Sequence, residues 1–203
     1  VREVAGFVDK IMAGGFNGIF VNITNPCDVI TDLVQKLSGL PRNRVFGTGT
    51  GLDSSRLISA ISQQTNLEHH SFTAFMIGEH GKPLSELAGD PRFDFDREEM
   101  TKRVINGAWT TFKGKQCTEY GVAATGATVV RSILHDEKKI MPVSAYLDGE
   151  YGETGIYCGI PAVVGANGIE QVMEYTLNKD EKTEFKRCCD AIRGNIAKAE
   201  QFW

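Results

Sequence analysis

An α/β fold, in which a parallel sheet hands over to an α+β region, is predicted by three features of the sequence. Short β-branched apolar runs alternate with helical spacing over the first quarter of the chain. A glycine-rich turn, Gly47-Thr-Gly-Thr-Gly51, separates the last of those runs from a new helix. Much later, two longer apolar runs are joined by turn residues. Alternation of strand and helix marks a sheet whose parallel strands are linked by crossover helices. Residues 1–50 are accordingly assigned to the end of a parallel-sheet domain and residues 51–203 to a second, α+β domain.

Each element has its own local signal. Residues 18–24 form an apolar run stopped by Asn25-Pro26, which reads as a buried parallel strand. Residues 26–38 place Val29, Ile30, Leu33, Val34 and Leu37 at helical spacing, with Pro26 near the first turn and Gly39 just past the end. Residues 44–46 give a second short strand, and a helix is expected from Leu52 to about Gln64. Residues 70–77 are strand-like and run into the loop Gly78-Glu-His-Gly81. Asp96 and Glu99 form a capping box ahead of Met100, Val104, Ala108 and Phe112, with Gly114 as the stop. A further helix runs from about Thr118 to His135. Residues 141–147 and 154–164 flank the turn-rich residues 148–153 and suggest an antiparallel pair. The last helix starts at about Lys179 and carries Phe185, Cys188, Ile192, Ile196 and Ala199 on one side.

Composition excludes several classes. A chain of 203 residues, 41% hydrophobic and 24% charged, has globular proportions. Its net charge of -4 is modest, and Lys and Arg are interspersed with Asp and Glu, so no basic block is available to track a nucleic acid. No apolar run reaches the ~18 residues that a bilayer span needs, and Val1-Arg2-Glu3 does not open a secretory signal, so a cytoplasmic setting is expected. Cys27, Cys117, Cys158, Cys188 and Cys189 are odd in number and contain no C-x-x-C, which suggests reduced thiols and neither a disulfide framework nor a metal site.

Four positions carry possible chemistry. His80 lies between Gly78 and Gly81 just after a strand, where α/β folds present reacting groups on loops that approach a ligand closely. A surface histidine is the plain alternative; His69, His70 and His135 have no such surroundings and are read as surface residues. Asp53 and Arg56 stand three apart at the start of a helix. There the Asp can orient an imidazole while the Arg grips a carboxylate in two parallel bonds, or the two can form an ordinary helix ion pair. Asn25, at the carboxyl end of a parallel strand, either points into the cleft where such sheets bind ligands or serves as a turn former.

Taken in order, Asn25-Pro-Cys-Asp-Val-Ile-Thr31, Gly47-Thr-Gly-Thr-Gly-Leu-Asp-Ser-Ser-Arg56 and Gly78-Glu-His-Gly81 resemble the signature blocks of the L-lactate/malate dehydrogenase superfamily. Thr118-Glu-Tyr-Gly-Val-Ala123 is similar to a later helix block, most like the L-2-hydroxyisocaproate branch. The resemblance implies the carboxyl-terminal end of a Rossmann-type NAD-binding sheet followed by a substrate domain. It implies an NAD-dependent oxidoreductase that interconverts a 2-keto acid and an L-2-hydroxy acid, pyruvate/L-lactate or a branched analogue such as 2-ketoisocaproate. His80 would be the acid/base and Asp53 its support; Arg56 would clamp the substrate carboxylate. Asn25 would touch both substrate and nicotinamide, Thr118 would line the substrate pocket, and Val122 would pack near the nicotinamide ring. It further implies a cis Asn25-Pro26 bond and a homodimer or homotetramer. Malate dehydrogenase is the nearest alternative; a non-catalytic remnant serving as a binding or assembly module is an alternative of a different class.

Two departures from the family pattern qualify these expectations. The family's G-x-G-x-x-G turn, its acidic ribose ligand and its mobile loop with a second Arg all precede the residues present here, which reads as a fragment of a longer enzyme. Gly81 also runs directly into Lys82-Pro-Leu-Ser-Glu-Leu87, where relatives insert a strand and turn. Relatives activated by fructose 1,6-bisphosphate carry Arg and His where this chain has Ile58 and Thr73, so no activation by that sugar phosphate is expected.

Overall fold

The computed structural model describes residues 1–71, 73–78, 83–84 and 96–202. Helix α1 (Arg2–Ala13) lies upstream of the first expected strand. It buries Val4 and Val8 against Ile30, Leu33 and Val34 of α2 (Cys27–Ser38), with Leu40 and Val45 completing this small core. Strand β1 spans only Phe20–Asn22 and is half-buried, where a longer and fully buried strand was expected. β2 (Val45–Gly47) is fully buried and pairs with it in parallel register, Phe20 opposite Val45 and Asn22 opposite Gly47. The helix between them ends at Gly39, whose φ of 64° and N–H bond to Gln35 O make the left-handed cap that its position suggests.

α3 (Gly51–Thr65) follows directly from the glycine-rich turn. The expected strand at residues 70–77 is reduced to β3 (Phe75–Met76), because His69–Ser71 forms a 3₁₀ turn; β3 pairs antiparallel with β4 (Pro83–Leu84). α4 (Arg97–Lys115) is capped by Asp96, whose Oδ1 accepts the N–H groups of Glu98 and Glu99 at 2.8 and 3.3 Å. It passes through Gly114 and stops at Gln116, which takes φ 63° and donates its N–H to Phe112 O. The cap therefore falls two residues later than the glycine predicted, since the closing bond decides the end and Gln tolerates this conformation at modest cost. α5 (Glu119–Leu134) matches its expected span, with Thr118 and His135 at its ends.

The antiparallel pair is the largest feature of the fold. β5 (Lys139–Asp148) and β6 (Thr154–Gly165) run in register from Lys139 opposite Val164 to Leu147 opposite Ile156. Pro142 faces Pro161 in this ladder. Neither has an N–H to give, so the pair occupies a non-hydrogen-bonded position of the antiparallel pattern. β7 (Gly168–Val172) extends the sheet, giving the order β1-β2-β5-β6-β7, with β2 and β5 antiparallel at Gly47 opposite Ser144. One sheet thus crosses residue 50. The main core lies between this sheet and helices α5 and α6 (Lys179–Glu200), where Val143, Leu147, Ile156 and Ile160 meet Phe185, Cys189 and Ile192. The Asn178–Glu181 capping box starts α6, and Arg193 reaches Glu153 at 2.6 Å, holding the helix on the sheet. None of the five cysteines is in a disulfide. Among the described residues no helix is long and apolar enough to cross a membrane.

Candidate active site

The chemistry-bearing side chains gather at the carboxyl end of β2. Thr48 N donates to Asn22 O at 2.9 Å and ties the ends of β1 and β2 together. Gly49 has φ 48°, and a Cβ there would sit 2.5 Å from Ser144 N, so the turn is pressed onto β5 at a point where no side chain fits. The buried Thr50 hydroxyl donates to Met76 O at 2.5 Å, and Ser54 Oγ accepts from Met76 N at 2.9 Å. These two bonds dock β3 on the first turn of α3. Gly78 N then donates to Gly159 O at 2.8 Å. A Cβ on Gly159 would lie 2.7 Å from Thr50 Cγ2 and 2.8 Å from Gly78 O, so two backbones and the Thr50 side chain converge on one seam. The residue two before His80 is thereby anchored beside the start of α3. His80 itself lies outside the described residues.

Asp53 and Arg56 occupy the first turns of α3. Arg56 Nη1 donates to Asp53 Oδ1 at 2.8 Å, and the two side chains are 22% and 18% exposed. The helix ion pair, one of the two readings of their spacing, is therefore present. It engages one of the five N–H donors of the guanidinium. Arg56 also lines a cavity of about 410 Å³ between α3 and α4, with Ser55, Ser59, Gln63, Arg103 and Gly107 around it. Arg103 carries no distinguishing signal in the sequence, where it reads as one solvated cation on a polar helix face.

α5 supplies the next wall. Thr118 is its exposed N-cap residue, and Val122 is half-buried one turn further on. A Cβ on Gly121 would lie 2.8 Å from Leu52 Cδ1, which sets the first turn of α5 directly on the neighbour of Asp53. Five residues on, Gly126 lies against Ile23, at the start of the turn that carries Asn25. α3 and α5 thus touch at Leu52 and Gly121, the chain neighbours of Asp53 and Val122, and α5 runs on to Ile23, two residues before Asn25. Asn25 is exposed, and its bond to Pro26 is cis as expected.

Asn22, Asp28 and Ser144 support this arrangement without having been legible as site residues. Asn22 Nδ2 donates to Cys27 O and to Thr31 Oγ1, both at 3.0 Å, while its Oδ1 accepts from Thr24 N at 3.0 Å, so it shapes the turn that presents Asn25. A single Asn inside an apolar strand was the available signal. Beneath the turn, Ser144 Oγ donates to Asp28 Oδ1 at 2.5 Å, with both residues buried. Burial, and then the neighbouring Asp28 carboxylate, push the Cys27 thiol up to about 11. It stays protonated near neutrality, which removes it as a nucleophile.

A parallel strand pair ending in polar turns, backed by an antiparallel hairpin and a helix-borne Asp–Arg pair, defines an α/β protein of the kind in which ligands bind beyond the strand ends. Residues 50–203 match the family described as lactate/malate dehydrogenase, alpha/beta C-terminal domain. The chain belongs to the lactate/malate dehydrogenase family. It is 39% identical over 213 residues to an L-lactate dehydrogenase of Fusobacterium nucleatum, covering 97% of this chain and 67% of that protein. An L-lactate dehydrogenase 3 of Bacillus cereus is also 39% identical, over 92% of this chain and 64% of its own length. The chain thus spans about two thirds of these relatives. The minor L-lactate dehydrogenase of Enterococcus mundtii in its ligands-bound form superposes with a TM-score of 0.91 at 31% identity, over 97% of this chain and 68% of that one. Malate dehydrogenase of Salinibacter ruber gives a TM-score of 0.91 at 28% identity, over 98% and 69%.

Proposed function

We propose that the protein interconverts a 2-keto acid and the L-2-hydroxy acid by NAD-dependent hydride transfer, with pyruvate/L-lactate or a branched analogue such as 2-ketoisocaproate as substrate. The observation that carries this reading is the Asp53–Arg56 pair at the start of α3, beside the anchored Gly78, in a chain whose curated relatives include L-lactate dehydrogenases. Arg56 turns one N–H toward Asp53 and keeps the rest of its planar fork for the substrate carboxylate, where two parallel bonds fix orientation. His80 exchanges a proton with the substrate oxygen, and Asp53 holds the imidazole for it. Thr118 lines the substrate side. The exposed Asn25 carboxamide and the half-buried Val122 fit the nicotinamide end of the cofactor, one as a hydrogen-bonding group and the other as an apolar wall. When bound, NAD supplies or accepts the hydride.

A malate/oxaloacetate reading is favoured by one observation, the equally high TM-score to a malate dehydrogenase. The family resemblance read in the sequence supports a cytoplasmic setting and a homodimer or homotetramer as part of this proposal. The test is NADH oxidation by the purified protein with pyruvate, 2-ketoisocaproate and oxaloacetate in turn, for the unaltered protein and Arg56→Lys. A point charge cannot reproduce the two-bond grip, so the variant should lose about 10- to 100-fold in kcat/KM for the preferred acid. Unchanged kinetics would take Arg56 out of the site, and preference for oxaloacetate would select the malate reading.

A further inference from the structure

The short connection between α3 and β3 carries a side-chain cluster that the proposed reaction does not use. Glu68 Oε2 accepts the backbone N–H of His70 at 2.6 Å, which fixes the carboxylate. Its other oxygen, Oε1, lies 2.9 Å from His69 Nδ1 and 2.8 Å from His70 Nδ1. The two imidazoles are neighbours in sequence, with ring centroids 4.0 Å apart and planes tilted by 40°. One carboxylate oxygen and two imidazole nitrogens thus converge within 4.8 Å of one another, all on the surface.

We propose that Glu68, His69 and His70 form a binding site for a divalent transition-metal ion of the nickel or copper type. Two imidazoles and a carboxylate are a borderline donor set that suits these ions and not calcium or magnesium. The distances are compatible with a right-angle geometry. Ligands ~2.0–2.1 Å from a metal are ~2.9 Å apart when they subtend a right angle and ~3.3 Å apart at the tetrahedral angle. The observed 2.8 and 2.9 Å are hydrogen-bonding contacts of the Glu68 carboxylate with the two imidazoles, and an ion taking the place of the imidazole protons could bind these donors at near right angles with little movement of either pair. Zinc in its tetrahedral form would require the cluster to open. Side-chain exposures of 57% for Glu68, 57% for His69 and 82% for His70 leave the remaining positions to water. The 15-residue α3 separates this cluster from Asp53 by roughly 20 Å, so a metal here ties the α3–β3 link together without touching the reaction.

Calorimetric titration of the purified, tag-free protein with Ni²⁺ tests the site. Saturable binding of a single ion is expected, accompanied by a rise in Tm because the folded state alone presents the three donors together. His70→Ala and Glu68→Gln should each remove the saturable phase while leaving the far-UV circular dichroism unchanged; the Gln retains an acceptor for His70 N. Absence of saturable binding, or its survival in both variants, overturns the assignment.

Discussion

The β5–β6 hairpin and the α3–β3 edge touch at Gly159, yet they are built by different rules. In the hairpin, Val143, Ala145, Leu147, Cys158, Ile160 and Ala162 are all fully buried, and stability comes from apolar area and a long ladder. At the α3–β3 edge, Thr50 and Ser54 are buried polar groups, each held by one bond to Met76, and the Asp53–Arg56 pair remains partly open to solvent. The smaller core beneath it, around Leu57, Ile61, Met76 and Met100, is separate from the main one. The difference teaches a division of labour: the apolar slab supplies rigidity, and single polar bonds at its border set the positions of the side chains that do chemistry. Such bonds add little net stability while made and cost more when broken.

Four substitutions break or sharpen this contrast. Ile160→Ala removes a fully buried side chain from the slab and should cost about 2–5 kcal/mol in urea unfolding, with no direct change in the site. A loss below 1 kcal/mol would mean that the slab is not the main source of stability. Gly159→Ala puts a methyl group into the seam between Thr50 and Gly78; it should cost about 1–3 kcal/mol and reduce kcat far more than its stability loss explains. Full activity at reduced stability would uncouple the seam from the site.

The third concerns alkaline pH. The Cys27 thiol is raised from 9.0 to about 11 in the folded protein, so folding favours its protonated form. Its stabilising contribution is complete below the unfolded value and is lost as pH rises from about 9 to about 11. Cys27→Ala should therefore flatten the fall in Tm across that window, and an unaltered profile would assign the loss to other groups. The smallest effect belongs to Tyr157, whose buried hydroxyl has no hydrogen-bond partner among the described residues. Tyr157→Phe should be neutral or stabilising by less than about 1 kcal/mol, since it removes a desolvated polar atom and keeps the ring against Tyr146. A marked destabilisation would show that this hydroxyl has a partner after all.

Much of the fold could be read in order along the chain. α2, α3, α5 and α6 follow from apolar spacing and end residues, and the β5–β6 pair follows from two long apolar runs about a turn. α1 went unread although Val4, Val8 and Ile11 stand at helical spacing as clear as that of α2, while β7 is secured by its ladder to β6. The strand expected at residues 70–77 shrinks to two residues because Glu68 captures the backbone of His70 and favours a turn, a local polar competition that apolar counting does not register.

Local chemistry singled out Asn25, Asp53, Arg56 and His80 as candidates, each beside a plain structural alternative, because they sit at a strand end or a helix start; Thr118 and Val122 were marked only by the family resemblance. The Asp53–Arg56 pair is local to one turn of α3, but only the tertiary structure could decide that Gly121 seats α5 on Leu52 and that Gly159 receives the backbone of Gly78. These tertiary contacts join residues as far apart in sequence as Gly78 and Gly159. Their partners are chosen by how the slab and its bordering helices close on one another, which no stretch of chain specifies by itself.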